Sequence, residues 1–212
     1  MNKRNYQAEL EKIISSNKDK RPTLLLHACC APCSSYVLEY LNEHFDITIY
    51  FYNPNINSQE EFLYRQSEVK RLIGEMPLKN PVKLIETQWN GEEFLSAVKG
   101  FEAIREGGER CFKCYELRLR KTAEICRSGG YDYFCTTLTI SPMKNAEKLN
   151  EIGERLAEEM GVSFLPSDFK KKNGYKRSIE LSKEYNLYRQ NYCGCGFSYK
   201  ESLLREKTKG TE

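Results

Sequence analysis

Short apolar runs alternate with longer segments of helical periodicity along most of this chain. Five runs have the length and composition of strands: residues 23–28, 46–52, 81–87, 131–137 and 162–166. The predicted helices follow at residues 34–44, 59–76, 92–101, 111–127, 144–160 and 178–185. Strands and helices that alternate in this way are joined by βαβ crossovers. The pattern therefore predicts an α/β fold, with a parallel sheet of about five strands and helices on both faces.

Polar and sulfur-bearing residues follow three of the predicted strands. Cys29 and Cys30 come directly after the first strand, residues 53–55 (Asn-Pro-Asn) follow the second, and Thr136 and Thr137 end the fourth. In open parallel sheets, ligands bind beyond the carboxyl ends of the strands. We therefore expect these three loops to converge on one site.

The length of 212 residues suits a single domain. Residues 1–22 form a polar, lysine-rich extension, and we expect its weakly amphipathic stretch around Leu10 to be a helix packed loosely outside the core. The predicted α/β domain covers residues 23–199, and residues 200–212 form a charged tail. The chain shows neither a membrane-length apolar run nor a signal-peptide hydrophobic stretch. We therefore expect a cytoplasmic protein with no membrane partner.

Nine cysteines change the picture, because structural disulfides do not persist in a reducing compartment. Seven of them fall in three clusters: Cys29, Cys30 and Cys33; Cys111 and Cys114; Cys193 and Cys195. Clustered thiols indicate metal binding or redox chemistry. Cys126 and Cys135 stand alone in a helix and a strand pattern, which is typical of core packing.

The first cluster lies at the turn into a predicted helix, whose amino terminus stabilises thiolates. Because the side chains of adjacent cysteines diverge, Cys29 and Cys30 fit a polynuclear cluster or two neighbouring metals better than one zinc ion. The alternative is a pair of small buried apolar side chains. For His27, next to this cluster, we favour a structural role. The alternative is a hydrolase dyad of His27 with Cys30.

Cys111 and Cys114 are spaced i, i+3, on one face at the start of a helix. They suit a shared metal centre, or alternatively a thioredoxin-like redox pair. With two cysteines from the first cluster they supply the four thiolates of a zinc or iron–sulfur site. Cys193 and Cys195, around Gly194, can form a small, readily reduced disulfide, or remain two free thiols in a glycine turn.

Charge is unevenly distributed, although 33 Lys and Arg against 30 Asp and Glu give a net charge of only +3. A basic stretch with nearby tyrosines marks the carboxy-terminal quarter, a composition used by RNA-binding proteins. The candidate RNA-binding residues are Lys170, Lys171, Lys172, Lys176 and Arg177. A solvated basic loop is the alternative. The chain has no phosphate-binding P-loop motif, so ATP use is not indicated.

Five motifs in register give a more specific indication. They are HACCAPC (27–33), FYNPNI (51–56), RCFKCYELRL (110–119), TTLTISPMKN (136–145) and YRQNYCGC (188–195). Over residues 23–199 the chain resembles the cobalamin-independent epoxyqueuosine reductase family, the QueH type. The resemblance implies a Rossmann-like fold and a two-electron deoxygenation of epoxyqueuosine at the tRNA wobble position, which gives queuosine and water.

The resemblance also implies roles for individual residues. It places a [4Fe–4S] cluster on Cys29, Cys30, Cys111 and Cys114, and a redox-active disulfide on Cys193 and Cys195. Cys33 is a candidate ligand for an additional mononuclear iron beside the cluster. The implied partners are tRNA carrying epoxyqueuosine in its anticodon loop and an electron donor of unidentified kind. The runner-up interpretation is a zinc-stabilised RNA-binding or tRNA-thiolation module.

Overall fold

Four parallel strands form the sheet at the centre of the fold. The computed structural model describes residues 4–209, and the side chains of residues 4–205. The strands are β1 (Thr23–His27), β2 (Asp46–Phe51), β3 (Lys83–Glu86) and β4 (Tyr133–Thr136). Their order is β3-β2-β1-β4, with Leu26 beside Ile49 on one side and Cys135 on the other. The predicted α/β class and the parallel sheet are confirmed.

Helices connect and cover the strands. They are α1 (Tyr6–Ser16), α2 (Ala31–Leu41), α3 (Gln59–Glu75), α4 (Gly91–Ala97), α5 (Glu109–Gly129), α6 (Ala146–Met160), α7 (Gly174–Glu184) and α8 (Gly196–Lys209). A short 3₁₀ turn, Thr137–Ile140, follows β4 directly. The sequence pattern predicts the first seven of these helices apart from their exact ends, but it does not predict α8.

Successive side chains of β1 point to opposite faces of the sheet and pack in two separate cores. Leu24 and Leu26 belong to the core on one face of the sheet, together with apolar residues of α2 and α3. Leu25 points the other way, into a second core built with α5 and α6. Because both faces are covered, every residue of β1 after Thr23 is buried. The prediction of helices on both faces is confirmed.

The predicted fifth strand, residues 162–166, is not a strand of the sheet. It forms one isolated bridge, in which Phe134 N donates to Ser163 O and Leu165 N donates to Phe134 O, each at 2.9 Å. Pro166 follows at once and has no backbone N–H with which to extend the pairing. The segment therefore covers the β4 edge for a single step, and the sheet has four strands.

Helix α1 packs on the core, so the expected loose placement of this segment is wrong. Leu10 is completely buried in the core that contains Leu24 and Leu26. The Gln7 side chain also donates to Tyr40 Oη at 3.1 Å. At the other end of the chain, α8 continues through the predicted boundary at residue 199. The proposed domain limits stay predictions.

No helix among the described residues is both long enough and apolar enough to cross a membrane.

Two helical glycines offer a matched test of the packing. A Cβ added at Gly153 of α6 would lie 2.5 Å from the Phe164 ring, which itself packs on Phe134, whereas a Cβ at Gly74 of α3 would meet nothing within 4 Å. We expect Gly153→Ala to lower the free energy of unfolding by about 1–3 kcal/mol through overpacking. Gly74→Ala, the control, should raise it by up to about 1 kcal/mol. Urea denaturation followed by circular dichroism measures both, and equal effects of the two variants would contradict this packing.

Candidate metal and redox site

The loops after β1, β2 and β4 converge at the carboxyl edge of the sheet, as predicted. Thr137 Oγ1 accepts from Cys29 N at 3.3 Å, which joins the loop after β1 to that after β4. Asn53 Nδ2 donates to Ala28 O at 2.8 Å and joins the loop after β2. After β3 the chain crosses to β4, which lies on the other side of β1 from β2 and β3. The strand order reverses between β1 and β4, so the topological switch point of the sheet lies at this edge.

Three thiols lie together at this edge. The sulfur atoms of Cys29, Cys30 and Cys33 are within 4.8 Å of one another. The Sγ atoms of Cys29 and Cys30 are 3.8 Å apart, so the expectation that these adjacent side chains diverge is wrong. Cys30 is the extended N-cap residue of α2, with φ −173° and ψ 167°. This conformation turns its sulfur back toward that of Cys29.

Electrostatics makes these three sulfurs unequal. Contact with the Cys29 thiol, and then with the Cys33 thiol, lowers the pKa of Cys30 below its ordinary value. Contact with the Cys30 thiol raises the pKa of Cys29, and contact with the Cys29 thiol and then the Cys30 thiol raises the pKa of Cys33. The group therefore ionises first at Cys30, and its neighbours stabilise that thiolate as hydrogen-bond donors. Such a set of soft ligands is suited to iron or zinc.

Cys111 and Cys114 lie in the first two turns of α5 and line a small neighbouring pocket of about 10 Å³ together with Cys193 and Cys195. Burial raises the pKa of Cys114 to about 11, and burial likewise raises the pKa of Cys111. Within the described part of the chain, the group of ligand atoms within 4.8 Å comprises Cys29, Cys30 and Cys33 alone. The structure thus places the four expected cluster ligands in two adjacent groups.

Arg118 lies between the two groups of thiols. It lines the small pocket and also a larger cavity that is lined by the first group. Its side chain is 1% exposed. Nε donates to Cys114 O at 3.2 Å and Nη1 lies 3.5 Å from Asn53 Oδ1, but Nη2 has no hydrogen-bond partner among the described residues. A buried guanidinium with an unused donor is costly unless an anion accompanies it. Arg118 therefore fits a site in which negative charge collects on sulfur.

The donor set and the unpartnered polar atoms fit an iron–sulfur group. Clustered thiolates are its usual ligands, and its sulfur atoms accept hydrogen bonds that tune the reduction potential. Like Arg118 Nη2, the hydroxyl of Tyr115 is buried without a partner in the described part of the chain. Tyr115 lines the same small pocket as Cys111 and Cys114. Both atoms are donors that such a group would satisfy.

Cys193 and Cys195 are unbonded thiols held by a defined turn. Gly194 between them has φ +119°, and a Cβ there would lie 2.9 Å from Arg65 Nη1. Ser198 N donates to Cys195 Sγ at 3.4 Å, and burial raises the pKa of Cys195 to about 12. Cys195 is therefore protonated at neutral pH, whereas the half-buried Cys193 lines both pockets.

Lys144 contacts the more accessible of these two thiols. Its ammonium donates to Cys193 Sγ at 3.0 Å and lies 3.6 Å from a carboxylate oxygen of Glu106. Glu106 also accepts from Ser198 Oγ, which in turn accepts from Cys193 N. Lys144 belongs to the motif at residues 136–145, but no role for it was predicted from the sequence. The sequence pattern places it at the start of the predicted helix 144–160, which gave no sign of burial, whereas α6 begins at Ala146.

The larger pocket is a cavity of about 320 Å³ with a strongly positive lining. The three thiols of the first cluster and Cys193 form part of its wall. Its cationic lining residues are Arg65, Arg118, Lys144, Arg189 and Arg205, against the single carboxylate of Glu106 among the described residues. Tyr175 and Tyr192 add aromatic surface, and Arg65 lies over the Tyr192 ring at 5.2 Å from its centroid. The cavity can therefore take an anionic ligand with an aromatic part.

The predicted basic stretch lies beside this cavity. Three of its five charges pair with acids: Lys170 with Asp168 at 2.9 Å, Lys172 with Glu11, and Arg177 with Glu39 at 2.6 Å. Lys171 and Lys176 are exposed. The stretch is thus less positive than its sequence suggests.

His27 is a structural residue, as the sequence favoured. Nδ1 lies 2.9 Å from Thr136 Oγ1 and Nε2 lies 3.0 Å from Tyr52 O. Burial lowers the pKa of His27 to about 4, so the ring is neutral. Since both nitrogens are occupied, the hydrolase dyad with Cys30 is wrong. Cys126 and Cys135 are fully buried in the two cores, which confirms their packing role.

Over most of its length the chain is similar to proteins of one family. The family model described as epoxyqueuosine reductase QueH matches residues 24–201. A protein named epoxyqueuosine reductase QueH from Staphylococcus epidermidis is 45% identical over 200 residues, which cover 92% of this chain and 84% of that protein. Its namesake from Thermotoga maritima is 36% identical over 190 residues, or 90% and 95% of the two chains. The chain therefore belongs to the epoxyqueuosine reductase QueH family.

Proposed function

We propose that this protein reduces the epoxide of epoxyqueuosine at the wobble position of tRNA, giving queuosine and water. One observation carries the proposal: the thiols of Cys29, Cys30, Cys33 and Cys193 face a single cavity whose lining is cationic. Reduction of an epoxide needs an electron source beside the substrate, and a nucleotide needs positive charge. The names of the relatives specify the chemistry. The many free thiols support a cytoplasmic location, where thiols stay reduced.

For the cofactor we propose a [4Fe–4S] cluster held by Cys29, Cys30, Cys111 and Cys114. The unpartnered donors of Arg118 and Tyr115 beside these thiols support it. When bound, such a cluster supplies electrons singly and offers iron as a Lewis acid. Cys33 lies within 4.8 Å of Cys29 and Cys30, which supports its expected role as ligand of an additional mononuclear iron.

The cavity lining suggests how the anticodon loop is held. A single-stranded loop presents its bases splayed out, and proteins take them up by stacking and by phosphate contacts. Two neighbours hold Tyr192 in place: the Arg65 guanidinium lies over its ring, and the Tyr199 ring centroid is 5.1 Å from its own. We assign Tyr175 and Tyr192 to base contacts and Arg189 to the phosphates. Lys170, Lys171, Lys172, Lys176 and Arg177 are proposed to extend the phosphate-binding surface beside the cavity.

Cys193 and Cys195 are proposed to store the two electrons of each turnover. Their dithiol form gives up two electrons and two protons when the disulfide closes, and Gly194 provides the left-handed backbone that a two-residue separation requires. An external electron donor then restores the dithiol. Cys193 is the sulfur that this donor can reach, because Cys195 is buried.

The cluster ligands give the first test of this function. An anaerobic preparation should be brown, with about four iron and four sulfide per chain. We expect Cys111→Ser and Cys114→Ser to lose cluster and epoxide reduction together, whereas the core variant Cys126→Ala keeps both. Iron, zinc and sulfide analysis with an assay of the tRNA nucleosides measures the outcome. A colourless protein with stoichiometric zinc would instead favour the RNA-binding or thiolation module.

The redox pair gives a separable test. The double variant Cys193→Ser/Cys195→Ser should keep wild-type iron and sulfide content, because neither residue is a proposed cluster ligand. It should fail to turn over repeatedly, since no dithiol remains to reload the site. Product formed per chain is measured with the same reductant for both proteins. Sustained wild-type turnover by the double variant would exclude the electron-storage role.

Salt dependence tests the tRNA surface. Each phosphate that a protein neutralises on a single strand contributes about 0.7 to the slope of log affinity against log salt. Charge reversal of exposed Lys171 and Lys176 should weaken tRNA binding and lower that slope by about 0.7 for each phosphate that is no longer neutralised. Lys121→Glu, on an exposed face of α5, serves as the control and should leave the slope unchanged. An unchanged slope in the double reversal would place the tRNA elsewhere.

A further inference from the structure

Lys144 is a buried cation placed between the redox pair and the cavity. It is 8% exposed, although lysine is rarely buried without a function or a partner. Its ammonium is 3.0 Å from Cys193 Sγ and 3.6 Å from Glu106, and its side chain lines both pockets. Among the residues whose side chains are described, no other lysine lines either of them. The ammonium can therefore reach a reacting sulfur on one side and a ligand of the cavity on the other.

The proposed reaction needs protons as well as electrons. Both C–O bonds of the epoxide break, a C=C bond forms, and the oxygen leaves as water, which consumes two electrons and two protons. Closure of the S–S bond between Cys193 and Cys195 releases two electrons and two protons. The two half-reactions therefore balance without another acid, provided that something carries protons from the thiols to the oxygen.

We propose that Lys144 is the catalytic acid that passes a proton from the Cys193–Cys195 pair to the oxygen of the epoxide. This inference rests on the proposed function. It adds a residue that touches the reacting sulfur and delivers a proton into the cavity. The second proton is the one held on Cys195, which leaves when the disulfide closes.

Other groups of the site are less suited to this transfer. Both nitrogens of His27 are engaged, and its ring is neutral. Tyr115 is 1% exposed and lines the small pocket only, and burial raises the pKa of its hydroxyl above the ordinary value. Glu106, the carboxylate of the cavity, accepts from Ser198 and pairs with Lys144. Lys144, in contrast, contacts Cys193 Sγ and also lines the cavity.

The contact between Lys144 and Cys193 gives the transfer its timing. Burial lowers the pKa of Lys144, but its neighbours Cys193, Tyr115 and Glu106 raise it by more, so the net direction is upward. Disulfide formation removes Cys193 as a hydrogen-bonding and electrostatic partner of the ammonium, while burial remains. Lys144 therefore becomes a stronger acid as the pair gives up its electrons, which is when the oxygen of the opened epoxide needs a proton.

Two substitutions separate proton transfer from simple charge. Single-turnover conversion of epoxyqueuosine tRNA is measured anaerobically and normalised to chains that carry four iron. We expect Lys144→Ala to slow conversion by about 100-fold or more, as for loss of a general acid. Added methylammonium should restore part of that rate. Lys144→Arg keeps a cation but is a poor proton donor, so it should remain slow. The exposed control Lys121→Ala should match the wild type.

A readout apart from turnover accompanies these rates. Iodoacetamide alkylation of Cys193, followed by mass spectrometry, reports how far the neighbouring cation favours its thiolate. Alkylation should slow by about tenfold in Lys144→Ala, because loss of a neighbouring positive charge disfavours the thiolate. It should stay near the wild-type rate in Lys144→Arg. Slow conversion combined with normal alkylation in Lys144→Arg is the signature of a proton carrier.

Several results would overturn the inference. Conversion by Lys144→Ala within about threefold of the wild type would exclude an acid role. Full recovery by Lys144→Arg would leave only an electrostatic role, and loss of the cluster in both variants would make Lys144 a structural residue. If the wild type itself fails to convert epoxyqueuosine tRNA, the proposed function is wrong. Conversion by the wild type together with fast Lys144 variants rejects this inference alone.

Discussion

The pairing of buried cations with clustered sulfur is the interaction on which the site depends. Seven thiols in three groups meet beneath a protein surface, and each ionised thiol there is costly unless a positive charge accompanies it. Arg118 and Lys144 supply those charges from inside, both almost completely buried. Arg118 Nη2 in turn has no hydrogen-bond partner among the described residues. The buried cation and the ionised thiols therefore stabilise each other. Removal of either side would leave an uncompensated charge in the interior.

The sheet topology provides the place where this pairing occurs. Because β1 lies between β2 and β4, the loops after all three strands open at the same edge, and the crossover to β4 leaves a crevice there. Helix α2 starts in that crevice with Cys30 as its N-cap. Its unpaired N–H groups and partial positive charge add to the two buried side chains. The α/β fold thus prepares a thiolate site before any metal binds.

Much of the fold and part of the site followed from local pattern. The ends of parallel strands, and the cysteine cluster beside the first of them, could be placed from sequence because both depend on neighbouring residues. Arg118 and Lys144 could not, since burial of a lone cation is decided by packing between distant segments. The only local signal for Arg118 is its position four residues after Cys114 on the same helix. Likewise, the ion pairs of the basic stretch with Glu11 and Glu39 join residues far apart in the chain.

Cys193 lines the large cavity, whereas its partner Cys195 is buried beneath it. A ligand that fills the cavity therefore covers the one sulfur of the pair that solvent can reach. In the proposed cycle, oxidation of the pair by substrate and its reduction by the electron donor both use this cavity, so the tRNA leaves before the donor binds. The tRNA and the electron donor of the proposed cycle therefore occupy the cavity in turn. It also shields the reduced sulfur from stray oxidants for as long as the tRNA stays bound.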